Sequence, residues 1–507
     1  MKKIVLLPLD ERPCNYEFPY QIFNNEKYEI IRPNLNILGD KKKPGNLDEI
    51  AKFLLDETKN ADGFVISIDT LLYGGIVPSR LHYDDIKTLT NRLNVLKEIK
   101  KNNSKIKIYA FHLIMRSPQY SSDDEEPDYY KDYGREIFLT GFLNHKKELG
   151  LATDEELKQL ENIKVPKKFL DDFLKRRKIN TSMCLESISL VEKSIIDFLI
   201  IPQDDAAEFG FTAKDQNIVR KEIENKTLEL DVYMYPGADE VSNVLLSRMV
   251  LKTEGKRPLI YIHYPSATSG SLIPRYEDRY LDTTVKYQIL AAGALTASSI
   301  EEADLVLFVN APSGNMQEAA YQHKHFREYE INRNLVEFVS QIKYVVETLD
   351  KKAIVADVAF SNGGEIEFVK MLDKEDLLMK VSSYAGWNTS SNTLGTAIPH
   401  GIINFLFGNN NKLESFLASR YVEDVGYCSL VRHYVMNNVL KDYGFNYFDV
   451  KDQRGEISKI VKEELMKFID KELPSLKNKI IINDLYMPWR RMFEIGINVI
   501  YKRGNET

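Results

Sequence analysis

The sequence predicts an α/β fold, with a TIM-like (β/α) barrel as the expected architecture and a doubly wound open sheet as the alternative. Three observations point there. Short apolar runs, such as residues 4–9 and 198–202, read as strands buried on both faces. Amphipathic stretches lie between them; in 46–58, Leu47, Ile50, Phe53 and Leu54 fall on one helical face. Nearly every apolar run ends in polar residues or glycines, where barrels and open α/β sheets place their chemistry.

The first run, 4–9, ends in Asp10-Glu11-Arg12-Pro13. The second, 64–68, runs into Asp69, Tyr73-Gly74-Gly75 and Ser79-Arg80. Helical spacing over 86–99 leads to a third strand at 106–113, which ends at Met115-Arg116. Residues 117–193 break the rhythm. They open with an acidic run, Asp123-Asp124-Glu125-Glu126, read as a solvated loop, and continue into Lys- and Glu-rich helical segments. This is the pattern of a helical insertion over the strand ends.

The rhythm resumes at Phe198, whose run ends in Asp204-Asp205. Further runs at 230–235, 258–263, 305–309, 353–356 and 378–382 end respectively in Asp239-Glu240, Tyr264, Asn310, Asp357 with Asn362, and Trp387-Asn388. That makes nine candidate strands, with no internal repeat visible. After 398 the strand pattern fades into helical stretches at 413–422, 430–440 and 456–469. The expected organisation is therefore a barrel-like catalytic domain, 1–397, with an insertion at about 117–193, and a mostly helical region, 398–507. The segment 484–494 is rich in aromatic and cationic groups; it is expected to pack on the main domain, with Arg490 or Arg491 available to the site.

Composition narrows the function. Asp plus Glu number 75 against 68 Lys plus Arg, for a formal charge of −7, which argues against a nucleic-acid partner. Cys14, Cys184 and Cys428 are too scattered for a disulfide framework or a paired-cysteine metal site, so a reduced, cytoplasmic setting is expected. The apolar run at the N-terminus is short and ends in Pro and charged residues, which suits a strand better than a signal peptide. No apolar stretch approaches the roughly 20 residues that span a bilayer, so no membrane partner is expected. Nucleotide-binding glycine loops and the G-x-S-x-G elbow are absent. His323 and His325 lie two apart in an expected helix and share no face. His112 and His263, near strand ends, read as packed residues or as a lone base. No cofactor is expected, and no particular oligomeric state is predicted.

Asp204 and Asp205 are the strongest chemical pair. Two close carboxylates push their pKa values apart, which supplies a general acid beside an orienting anion. The plain alternative is a helix cap next to a solvated acid. Asp10, Glu11 and Arg12 could grip sugar hydroxyls, bind a cation, or form an ion pair. Asp239 and Glu240 could do the same or cap the helix beginning near Val241. Arg116 ends the third strand. Asn362, Trp387 and Asn388 suggest a neutral recognition surface, with Trp387 either stacked on a sugar or packed in the core. Tyr73 and Tyr264 could line the same pocket.

At Leu7-Pro8-Leu9-Asp10-Glu11-Arg12, Tyr73-Gly74-Gly75, Ser79-Arg80, Gln203-Asp204-Asp205, Pro236-Gly237-Ala238-Asp239-Glu240 and Gly386-Trp387-Asn388-Thr389 the chain resembles a bacterial family known as domain of unknown function 4127. The resemblance runs along nearly the whole chain and implies no particular activity. More locally, Asp204-Asp205 and the stretch 309–319 are similar to hexosaminidases of the O-GlcNAcase type. In those enzymes consecutive aspartates follow the fourth barrel strand, the first orienting the 2-acetamido group and the second acting as general acid. The family's sugar-gripping Asp in a Trp-Asp-Asn context has no counterpart here. The expected function is thus a glycoside hydrolase acting on a small saccharide or glycoconjugate, including an N-acetylhexosaminide, through Asp204 and Asp205. The alternatives are a metal-assisted hydrolase or lyase using Asp10, Asp69 and Asp357, and a non-catalytic carbohydrate-binding protein.

Overall fold

In the computed structural model, which describes residues 1–503, the apolar runs become parallel strands of two open sheets. The first sheet contains β1 (Lys2–Leu7), β2 (Tyr28–Ile31), β3 (Gly63–Ser67), β4 (Lys107–Phe111), β5 (Phe198–Gln203) and β6 (Val232–Pro236). Its order is β2-β1-β3-β4-β5-β6, and every neighbouring pair is parallel. Val5, Leu6, Val65, Ile66, Leu199 and Ile200 are fully buried, as strands covered on both faces require.

The following strands are β7 (Leu259–His263), β8 (Leu295–Thr296), β9 (Leu305–Asn310), β10 (Gln317–Glu318), β11 (Lys352–Asp357), β12 (Phe360–Ser361) and β13 (Ser383–Ala385). Five of them form the second sheet, in the order β13-β11-β9-β7-β8, again all parallel. β10 and β12 pair with each other. β14 (Ile480–Tyr486) and β15 (Gly496–Tyr501) form an antiparallel pair near the C-terminus.

The α/β class therefore holds, but no barrel closes among the described residues; each large sheet keeps two edges, β2 and β6 in one and β13 and β8 in the other. The open-sheet alternative describes the topology. From β1 the chain steps to one edge, and from β3 it steps the other way. With right-handed crossovers this puts helices on both faces. The second sheet repeats the scheme, since β8-β7-β9-β11-β13 has the same order as β2-β1-β3-β4-β5. β2 was not expected, so Asp204 and Asp205 follow the fifth strand rather than the fourth.

The chain divides into two compact units. One comprises Met1–Glu11, Asn24–Ser242 and Tyr276–Asp278; the other comprises Arg12–Phe23, Asn243–Arg275 and the chain from Arg279 onward. The first is built on the six-stranded sheet and the second on the five-stranded one. Between β4 and β5 the first unit carries three helices, Tyr130–Glu148, Asp154–Asn162 and Lys167–Glu192.

In the second unit, helix Pro13–Phe23 packs with helices Ser390–Phe407 and Asn411–Arg420; Phe18 meets Phe416 edge-on, with ring centroids 5.3 Å apart. The expected boundary at 397/398 falls inside helix Ser390–Phe407. Val306 and Val355 of the sheet share one core with Val461, Leu465, Ile480 and Val499.

Helix Ser390–Phe407 lies on β11 and β13. The contact depends on Gly401, where a Cβ would fall 2.4 Å from Ile354 Cγ1 and 2.9 Å from Ser383 Oγ. Gly401→Val is expected to destabilise the protein by about 2 kcal/mol through overpacking, read as a lowered midpoint in urea unfolding. An unchanged midpoint would contradict this packing.

Candidate functional site

The two Asp residues and their partners are positioned by β-sheet pairing that continues past the strand ends. Beyond β4, the Ile114 N–H donates to the Pro202 carbonyl at 3.1 Å, and Ile114 is bridged to Gln203. Arg116 lies two residues beyond Ile114, and its Nη1 donates to Asp205 Oδ2 at 3.2 Å. Its Nε donates to Glu126 Oε1 at 2.8 Å and its Nη2 to Glu125 Oε2 at 3.2 Å. Arg80, from the segment after β3, donates through Nη2 to Asp204 Oδ2 at 2.7 Å and through Nη1 to Glu125 Oε2 at 2.9 Å. Glu125 therefore bridges both guanidinium groups.

Helix Lys167–Glu192 steadies this arrangement. Arg177 donates to the Arg116 carbonyl at 2.9 Å and to Asp215 at 2.6 Å. The Asn180 amide donates to the Ser79 carbonyl at 2.8 Å. Asp69, buried beside the group, accepts the Leu113 N–H at 3.0 Å. The crevice among Asp69, Ser79, Arg80, Arg116, Asn180 and Asp204 is tight, with about 10 Å³ open to the centre of a water molecule, room for one water.

Consecutive strand residues point to opposite faces. Asp205 breaks that alternation with φ 44°, a left-handed conformation that Asp tolerates better than most residues. The turn lets both aspartates meet arginines. Two guanidinium groups face four carboxylates, Glu125, Glu126, Asp204 and Asp205, so acid is in excess. Burial, reinforced by the charge of Asp204, pushes the Asp205 carboxyl up to about 7 despite the pull of Arg116 and Arg80. Burial likewise raises Asp69 to about 7. The side chains of Asp204 and Asp205 remain 18% and 25% exposed, so both stay within reach of solvent.

The acidic run expected to be solvated is instead drawn inward, with Glu126 only 1% exposed, because the two buried arginines require counter-charge. Lys41 ties this run to the first strand end: its N–H donates to Glu11 Oε1 at 3.0 Å and its ammonium pairs with Asp124. Asp10 and Asp239 are buried in the same unit. Glu240 is fully buried and accepts the Ala238 N–H at 3.0 Å, a local role at the start of helix Val241–Glu254. Tyr73 is buried, with its ring stacked on His82 at 4.5 Å.

Five other sequence-predicted residues belong to the second unit. Arg12 lies 4.5 Å from the Trp489 ring centroid and 3.8 Å from Glu494 Oε2, and Arg491 shares both partners. Trp387 is buried, its ring T-shaped to Phe18 and its ring N–H donated to Thr396 Oγ1 at 3.1 Å. Asn362 and Asn388 both have positive φ, and the Asn362 N–H donates to the Asn388 carbonyl at 2.8 Å. Tyr264, in the same unit, donates its hydroxyl to Asp282 at 3.3 Å.

The second sheet has its own strand-end network. Asn310 donates to Asp357 Oδ1 at 2.9 Å and to Glu365 Oε2 at 2.8 Å. Arg333 forks onto Glu365 at 2.8 and 2.6 Å. Asp357 Oδ2 accepts the Glu365 N–H at 2.7 Å and the Tyr384 hydroxyl at 2.8 Å. The oxygens of Asp357 are thus engaged in bracing strand ends. Among the described residues no group of three His, Cys, Asp or Glu side chains is arranged to hold a metal ion.

A family model described as protein of unknown function (DUF4127) matches residues 4–498. The chain belongs to DUF4127. No curated protein matches it. In this DUF4127 chain the paired aspartates were recognisable from sequence, whereas Arg80, Glu125 and Glu126 were not assigned to the site. The usable signal was a balance of charge: arginines at buried strand ends need acids, and residues 123–126 supply them.

The raised carboxyls make stability depend on pH. The folded chain holds the Asp69 proton more tightly than the unfolded chain, so that stabilisation is fully present below about 4 and is lost as pH rises through about 7. Asp69→Asn is therefore expected to reduce the fall in Tm between pH 4 and pH 7 relative to the unaltered protein, as measured by thermal unfolding.

Proposed function

We propose that the first unit hydrolyses a glycosidic bond in a small saccharide or glycoconjugate, N-acetylhexosaminides included, through Asp204 and Asp205. The observation supporting this is the geometry of the pair: adjacent aspartates held on separate arginines with both side chains still reachable by solvent, and burial pushing the Asp205 carboxyl up. Asp205 donates its proton to the leaving oxygen as the bond to the anomeric carbon breaks; a water then adds to that carbon and gives up a proton, which returns Asp205 to its acid form. The carboxylate left behind faces Arg116 at 3.2 Å, which stabilises its new charge. Asp204, anchored on Arg80, orients an acetamido group or offsets positive charge developing on the sugar ring. Asp10, Glu11 and Asp239 belong to the same unit and would contact hydroxyls beyond it.

A binding-only reading is favoured by the engagement of both aspartates with arginine. A panel of aryl glycosides and N-acetylhexosaminides separates the two. Under the hydrolytic reading, Asp205→Asn lowers kcat by about 100-fold or more, within the usual range for losing a general acid. The rate of the unaltered enzyme falls as pH rises through about 7, because the acid must be protonated to act. Full turnover in Asp205→Asn would rule out the acid role. Saccharide binding without turnover that survives Asp205→Asn but is weakened by Arg80→Ala, which removes the anchor of Asp204, would select the binding reading.

A further inference from the structure

We infer that the second unit carries a separate site for a neutral saccharide, beyond the carboxyl ends of β7 and β9. The strand order β13-β11-β9-β7-β8 sends the chain from β7 toward one edge and from β9 toward the other. Connections that diverge in this way leave a crevice at the carboxyl ends of the two strands, the position at which open α/β sheets bind ligands. A cavity of about 490 Å³ is lined by residues of the two segments that leave these strands. Ile273 and Arg275 follow β7; Gln317, Glu318, Tyr321 and Phe326 follow β9. The volume is within the range of roughly 300–1,000 Å³ usual for small-molecule sites.

The lining defines the ligand. Tyr321 and Phe326 are 56% and 49% exposed and Ile273 is 53% exposed, so apolar surface is available to the face of a ring. Arg275 and Glu318 form an ion pair at 3.3 Å, so the charges they contribute cancel. The Asn315 side-chain amide offers a donor and an acceptor and the Gln317 amide its NH2 group, which suits hydroxyl groups. An uncharged ring with C–H faces and a hydroxyl edge matches both halves of the lining.

The wall is also held in place before any ligand arrives. Gln317 and Glu318 pair in register with Phe360 and Ser361. The Gln317 N–H donates to the Tyr329 hydroxyl at 2.9 Å, and Gln317 Oε1 accepts the Phe326 N–H at 2.7 Å. Asn362 donates to Glu318 Oε2 at 2.8 Å, which fixes the carboxylate from behind. Such fixing lowers the entropic cost of binding. It also gives Asn362 a supporting role in place of the direct sugar contact expected from sequence.

This site does not depend on hydrolysis at Asp205. Saturation-transfer NMR and titration calorimetry on the full chain, with glucose, N-acetylglucosamine, maltose and cellobiose, test it; AMP serves as a charged counter-probe. The expected result is saturable binding of at least one saccharide. That binding weakens tenfold or more in both Tyr321→Ala and Phe326→Ala, each checked for folding by circular dichroism, and is unchanged in Asp205→Asn. Both altered rings are about half exposed, so neither variant removes a core residue. The proposal is overturned if no saccharide binds, if binding survives both substitutions, if it is lost in Asp205→Asn, or if AMP binds in preference.

Discussion

A parallel strand covered by helices on both faces has room for polar side chains only beyond its ends. Both sheets obey that constraint, and the chemistry of the chain follows from it. Val65 and Ile66 are fully buried, and Asp69 begins the polar region three residues on. Val355 and Ala356 are fully buried, and Asp357 follows at once. Charges concentrated in this way must satisfy one another, because an unpaired buried charge is costly. The two sheets reach different solutions. At the second, Arg333 grips Glu365 in a fork, and Asn310, Tyr384 and a backbone N–H complete the coordination of Asp357. At the first, acids outnumber arginines around Asp204 and Asp205. Burial raises a carboxyl to about 7 in both, Asp357 in one and Asp205 in the other; only Asp205 keeps a quarter of its side chain open to solvent.

Much of the fold was legible because burial on two faces leaves a plain mark, an uninterrupted apolar run. All six strands of the first sheet except β2 carried that mark. β2 spans only Tyr28–Ile31 and alternates buried with half-buried residues, so it gave no such run. β8 has two residues. The strand read at 378–382 formed at Ser383–Ala385 instead, while Leu378 and Val381 joined the helical side of the core. Strand order left no local trace at all. The order depends on which edge each crossover selects, and apolar runs look the same in a barrel and in two open sheets. The shared order of the two sheets was hidden for the same reason.

The site divided along similar lines. Adjacent aspartates after an apolar run are a local feature and could be seen. Their partners come from 124 residues away for Arg80–Asp204 and 89 residues away for Arg116–Asp205. Charged residues 123–126 looked solvated because nothing nearby in sequence shows that buried arginines claim them. Trp387 and Arg12 are the opposite case. Each stands among polar neighbours in sequence, yet each is buried by partners distant in sequence, Phe18 for one and Trp489 for the other. The positive φ angles at Asp205, Asn362 and Asn388 are a third kind of information, since backbone strain of this sort emerges only once strand ends have been placed.

The membership of helix Pro13–Phe23 in the second unit bears on how the protein is made. The helix leaves the ribosome directly after β1, but the helices it packs against, Ser390–Phe407 and Asn411–Arg420, are translated more than 360 residues later. At about 5–20 residues per second that is a delay on the order of 20 to 70 s. Throughout it, Phe18, buried in the finished chain, lacks the Trp387 and Phe416 rings that it meets there. The first unit has its sheet complete by Pro236, while the second must wait for its last helices before it can accept a segment made at the very start. A chain stalled inside this interval therefore carries its first helix without the two helices it packs on.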